Sequence, residues 1–78
     1  MSEKIPIGEL IIQKLKNSDR NISWLAKKLN YDRSNFHKRL INNNIEIDLL
    51  FSISEILQED FFAYYSEMLS SKIYHKNG

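Results

Sequence analysis

Arg33, Ser34, His37 and Lys38 fall within six consecutive positions, and each ends in a group that donates or accepts a hydrogen bond. A helix through them is expected to turn Phe36 and Leu40 to one side and these four away from it, with Arg33 toward one edge. A face of that kind suits recognition of another hydrogen-bonding surface, such as the base edges and phosphates of a nucleic acid. Bond-making chemistry has no comparable set of residues. The two histidines, His37 and His75, lie on different elements with no metal-ligand spacing around either, and the chain has no cysteine to supply a thiolate. Gly8 and Gly78 are the only glycines, so there is no glycine-rich loop to cradle a phosphate. Glu59 and Asp60 are adjacent carboxylates at a helix boundary, where capping is the ordinary role. The expectation is a protein that is not an enzyme and carries neither metal nor cofactor.

The elements that must position the four residues follow from apolar spacing. Ile7, Leu10, Ile11 and Leu15 recur at helical intervals and predict a first helix over about Ile7 to Asn17, opened by Pro6 and stopped by Asn17, Ser18 and Asp19. Lys14 and Lys16 fall near its C-terminal end, where they complement the helix dipole. Asn21 is placed to cap a second helix running to about Leu29, by accepting from the N–H of Ser23 or Trp24. Asn30 then ends it in a left-handed conformation, with Tyr31 packed under the turn and Trp24 partly buried. Asp32 caps a third helix, Arg33 to about Ile41, whose buried pair is Phe36 and Leu40. Asn42, Asn43 and Asn44 make a polar break, with Ile45 and Ile47 anchoring the loop to the core. A fourth helix is expected from Asp48 to Leu57, and the aromatic segment from Phe61 to Leu69 forms a fifth. Residues 1–6 are expected to be a flexible lead and residues 70–78 a flexible tail. No alternation long enough for a strand is present, so the fold class is all-α, a compact five-helix domain over residues 7–69.

Seventy-eight residues leave room for one small domain and none for a separate effector domain. No apolar run approaches the roughly 18 residues that cross a bilayer, and no secretory pattern opens the chain, so a cytoplasmic protein is expected. The net charge of +1 conceals an uneven distribution. Up to Asn44 there are nine Lys and Arg against four Asp and Glu, a net of +5, and after it two against six, a net of −4. A basic half beside an acidic half fits a polyanion-binding face on a scaffold that repels the same polyanion.

The segment ISWLAKKLNYDRSNFHKRL, about residues 22–41, resembles the helix-turn-helix of the phage-repressor and Cro-like (XRE-type) family. Leu25 and Ala26 stand where that family has its Leu-Ala pair, Leu29 and Asn30 where it has a closing apolar residue and Gly, and Phe36 where it has the anchor of the recognition helix. The five-helix layout is similar as well. The resemblance implies a lambda-repressor-like DNA-binding domain, a small transcriptional regulator reading double-stranded DNA with residues 33–41 in the major groove. It implies base contacts from Arg33, Ser34 and Lys38, to which His37 adds a base or phosphate contact, and phosphate contacts from Ser23, Lys27, Asn42 and Asn43. Two positions depart from the pattern. Ile22 stands where the family often has a phosphate-meeting Gln, with Ser23 as the neighbouring substitute. Arg39 stands where an aliphatic core residue is usual, so either the end of the helix is rotated or Arg39 runs past the core along its stem. The aromatic residues Phe61, Phe62, Tyr64, Tyr65 and Met68 cover more of the last helix than one face needs, and a homodimer contact accounts for the excess. The alternative reading is a protein-interaction module or antitoxin-like adaptor using that aromatic helix, which leaves the basic half unemployed. RNA recognition is a further rival, weakened because the aromatics fall at positions expected to be buried or acidic in surroundings.

Overall fold

The apolar intervals become five helices in the computed structural model, which describes residues 5–76. They are α1 (Ile7–Asn17), α2 (Ile22–Lys28), α3 (Arg33–Ile41), α4 (Ile47–Leu57) and α5 (Phe61–Lys76). Among the described residues there is no strand. Nor, among the described residues, is any helix long and apolar enough to cross a membrane. α3 packs against both α1 and α2, and α4 against α5. Phe36, Ile11, Leu15, Leu25, Leu40 and Ile53 are each less than 2% exposed, and each contributes about 1.5 to 3 kcal/mol by leaving water. α3 therefore holds its place through two of the best-buried side chains in the domain.

The helix starts follow local chemistry. Asn21 Oδ1 accepts from the Trp24 N–H at 2.8 Å and Asp32 Oδ2 from the Asn35 N–H at 3.1 Å, so the starts of α2 and α3 are both capped. Asp60 Oδ1 does the same for the Ala63 N–H at 3.1 Å. α1 lacks a side-chain cap at Pro6, and its need is met from far along the chain, where Asn43 Oδ1 accepts from the Gly8 N–H at 3.0 Å.

All four helix ends leading into a turn share one device. Asp19, Asn30, Asn43 and Gln58 have φ between 56° and 61°, the left-handed region, and none is glycine. Beside each, the next N–H reaches back to a carbonyl five residues earlier: Arg20 to Leu15 at 2.8 Å, Tyr31 to Ala26 at 2.8 Å, Asn44 to Arg39 at 2.9 Å and Glu59 to Ser54 at 3.0 Å. This is the Schellman closure, which satisfies carbonyls a helix end would otherwise leave open. Gln58 is the poorest fit, since a long side chain meets the Cβ penalty that Asn partly avoids. Gln58→Gly is expected to stabilise the domain by about 0.5 to 1 kcal/mol, the strain relieved exceeding the added freedom of the unfolded chain. Thermal unfolding by circular dichroism checks this. A lowered Tm would mean that the long 3.4 Å bond from Gln58 Nε2 to the Glu55 carbonyl outweighs the backbone.

Gly8 is where α1 and α3 come closest. A Cβ built there would lie 1.9 Å from the Leu40 carbonyl oxygen and 2.8 Å from its carbon, both backbone atoms. The contact sets the separation of the two helices, because no side-chain rotation can relieve it.

Several sequence expectations need correction. Ile47 does not anchor the loop: it is the first residue of α4 and 74% exposed, while Ile45 alone is half-buried against the core. α4 begins one residue before Asp48, which then serves as an acid in the first turn, favourable for the dipole. The last helix does not stop at Leu69 but continues to Lys76, since Ser70 and Ser71 are weak helix formers and not breakers. Residues 77–78 of the expected tail, and 1–4 of the expected lead, lie outside the described residues. Ile5 is tied down: its N–H donates to the Tyr64 hydroxyl at 2.8 Å, and that hydroxyl donates to the Ile5 carbonyl. Phe61 is 5% exposed and belongs to the core. Phe62, Tyr64 and Met68 are half-buried, and the open side of α5 carries Tyr65 and Leu69. Burial, and after it the neighbouring Tyr64, raises the Tyr65 pKa above its ordinary value, so the phenol is uncharged at neutral pH.

Candidate nucleic-acid interface

The candidate residues gather around the junction of α2 and α3, and the turn between them is short because its backbone is fully used. Leu29 to Asp32 carry the chain from one helix to the next, with Asn30 left-handed and Tyr31 bonded back to Ala26. Tyr31 is half-buried with its ring 5.7 Å from that of Phe36, which places the turn directly on the core. α3 starts from a fixed point.

Arg33, at the first position of α3, donates from Nε to Ser23 Oγ at 2.8 Å. Two residues ten positions apart, one expected at a base and the other at a phosphate, are thus joined. The bond occupies one of the five guanidinium donors and leaves both terminal nitrogens open. It also leaves the Ser23 hydroxyl its own proton to donate. Ser34 and Lys38 are exposed and face away from Phe36 and Leu40. His37 is half-buried on the flank of the helix and not at the centre of its open face.

Asn35 belongs with this set and was missed. It is exposed, its backbone N–H is taken by the Asp32 cap, and its carboxamide has no partner among the described residues. The signal was available, because position 35 lies about 60° from Lys38 around a helix.

Of the expected phosphate contacts, Lys27 and Asn42 are exposed with no side-chain partner among the described residues. Asn43 is exposed as well, but its carboxamide oxygen is committed to Gly8, so only its NH₂ group remains to offer. Trp24 is half-buried, with the Arg20 guanidinium 4.5 Å and the Lys28 ammonium 5.6 Å from its ring centroid. Arg39 resolves its departure from the family pattern by position: Leu40 fills the core, and Arg39 lies half-buried with its guanidinium 5.6 Å from the Tyr31 ring centroid. Its Nη1 also makes a long 3.5 Å contact to the Asn44 carbonyl.

The charge asymmetry becomes spatial. Among the described residues, the one ion pair within 4 Å joins Lys14 Nζ to Glu59 Oε1 at 3.2 Å, across the seam of the basic and acidic halves. The pair is solvent-exposed and adds little to stability. Arg33, Lys27 and Lys38 have no carboxylate partner among the described residues, so their charge is available to an incoming anion. The six acids after Asn44 are all exposed, on α4, α5 and the segments before them.

α3 is thus a short helix fixed to the core on one side, capped at its start, with polar side chains exposed on the other. No family model, curated protein or solved structure matches the chain.

Proposed function

We propose that this chain is a small, cytoplasmic, sequence-specific DNA-binding protein of the phage-repressor and Cro-like type, a transcriptional regulator that sets α3 in the major groove of double-stranded DNA. The observation that carries the reading is the contrast between the two sides of α3. Phe36 and Leu40 are at most 1% exposed, while Arg33, Ser34, Asn35 and Lys38 stand open to solvent. A groove-reading helix needs both, because donors discriminate bases only when the backbone beneath them is fixed.

Each group has a role in this reading. With Nε held by Ser23, the terminal nitrogens of Arg33 form the fork that fits O6 and N7 of guanine. The Asn35 carboxamide matches N6 and N7 of adenine, Ser34 adapts to either type of pair, and Lys38 reads one turn further on. His37 reaches a base or phosphate from the flank. Ser23, Lys27, Asn42 and the free NH₂ of Asn43 bind phosphates and set the register. One domain of this size buries modest DNA surface, so firm binding calls for a second copy about 34 Å away, one turn along the duplex. Exposed apolar residues suited to joining the copies are Tyr65 and Leu69 on α5 and Ile47 and Phe51 on α4.

Selection of bound sites from random duplexes tests the proposal. A defined, two-fold symmetric sequence is expected, with affinity that falls steeply as salt rises. Arg33→Ala should cost about 1 to 3 kcal/mol at its own base pair and relax selection there alone. Failure to enrich any sequence, or a preference for single-stranded RNA over duplex DNA, would overturn the reading.

A further inference from the structure

Ile22, one of the two positions that depart from the pattern the segment resembles, lines a cavity. Ile12 and Leu15 of α1 join it as the apolar lining of a space of about 190 Å³, and Lys16, Arg20, Asn21 and Arg33 make up the rest. Three cations and no acid line it. The other hollows of the domain differ: the one between α1 and α5 is lined by Lys14 with Glu59, Asp60 and Glu67, and the one beside Phe51 by Glu55, Glu59 and Asp60. Among the described residues, none of Lys16, Arg20 and Arg33 has a carboxylate within 4 Å.

Two of the three cations are already held in position. Arg20 lies 4.5 Å from the Trp24 ring centroid, and Arg33 is tied through Nε to Ser23. Both contacts leave guanidinium N–H groups unused, and fixing a charged side chain before the ligand arrives removes part of the entropy that binding would otherwise cost. Lys16 has no side-chain partner among the described residues. A bare inorganic anion would satisfy the cations but leave the apolar lining wet. An uncharged hydrocarbon would cover the apolar lining but leave three cations without a counter-charge. The volume is below the roughly 300 to 1,000 Å³ of sites for drug-sized ligands, so the occupant is small.

We propose that this cavity binds a small apolar carboxylate, its hydrocarbon part on Ile12, Leu15 and Ile22 and its carboxylate between Arg20, Arg33 and Lys16. The carboxylate accepts paired N–H bonds from a guanidinium, the geometry that arginine favours. The site stands whether or not the chain binds DNA. Where the DNA reading also holds, and only there, ligand and DNA compete for Arg33, and the carboxylate acts as an effector that weakens binding.

The test is a titration of the ¹⁵N-labelled full chain, without DNA, with benzoate and with hexanoate, following the amides of Asn21, Ile22 and Arg33 and the Arg33 Nε–H. Saturable shifts confined to these positions are expected. Acetate, inorganic phosphate and benzyl alcohol each supply half of the chemistry and should bind at least about tenfold more weakly. Arg20→Gln should lower benzoate affinity about tenfold, while Lys72→Gln, which removes the same charge from α5, should leave it unchanged. Equal shifts with acetate or phosphate would reduce the effect to charge screening, and equal shifts with benzyl alcohol to greasy contact; either overturns the proposal, as does no saturation in the millimolar range. Repeating the titration with DNA bound should release DNA as benzoate rises. Unchanged DNA affinity at saturating benzoate would overturn the competition for Arg33.

Discussion

Gly8→Ala is expected to destabilise the domain by on the order of 3 kcal/mol, although it adds one methyl group to a helix in which Ala is the better helix former. Propensity alone favours Ala over Gly in a helix interior by about 1 kcal/mol, so the sign of the result decides between two accounts. The new Cβ would meet the Leu40 carbonyl oxygen at 1.9 Å, and Leu40 belongs to the backbone of α3. Relief requires α1 and α3 to part. That movement breaks the Gly8 N–H bond to Asn43 and loosens Ile7, Ile11 and Leu15 against Phe36 and Leu40. For a domain of this size, with a total stability of about 5 to 10 kcal/mol, such a loss approaches unfolding at body temperature. Urea titration of the variant measures it, and a variant as stable as the parent would show that the helices part at no cost.

Phe36→Ala is expected to cost about 3 to 5 kcal/mol, the upper range for a buried aromatic. Phe36 is 0% exposed, and no chain segment near it is free to collapse into the space, because the Schellman closures and caps fix the turns on either side. Its loss also removes the ring against which Tyr31 packs at 5.7 Å, and Tyr31 in turn lies beneath the Arg39 guanidinium. Phe36→Leu keeps most of the volume and should cost less than half as much. Comparing the two by urea unfolding separates cavity formation from a specific need for an aromatic ring. Equal losses would point to the ring.

These two expectations also mark what the amino-acid sequence could and could not disclose. Caps and stops at Asn21, Asn30 and Asp32 were legible because each depends on three or four neighbouring residues. Phe36 and Leu40 were legible because helical spacing identifies a buried face from within one segment. Gly8 was not, since nothing near it in the chain indicates that α3 lies against it. The same limit applies to Ile47 and Phe51, 74% and 57% exposed: periodicity shows that residues share a face but not whether anything covers it. At the candidate site, the open positions of Ser34 and Lys38 could be read from spacing, whereas Arg33, about 60° from Phe36 around the helix, is open because it stands at the first position of α3, and its bond to Ser23 depends on how two helices meet. The flank position of His37 was legible too, since it lies about 100° from Phe36 and about 60° from Leu40. Arg39 was ambiguous because its resting place, Tyr31, lies across the turn.

The four left-handed stops at Asp19, Asn30, Asn43 and Gln58 carry one more consequence, for the way this sequence can change. Each is a position where a single change to glycine relieves backbone strain, except that Asn43 would give up its bond to Gly8 in exchange. A small domain usually has little tolerance for substitutions that trade firmness for a new specificity. Here substitutions on the outer face of α3 have compensating changes close at hand, above all at Asp19 and Gln58, in turns that carry none of the exposed polar residues of that face. The strain retained at the helix ends is therefore latitude for change on that face.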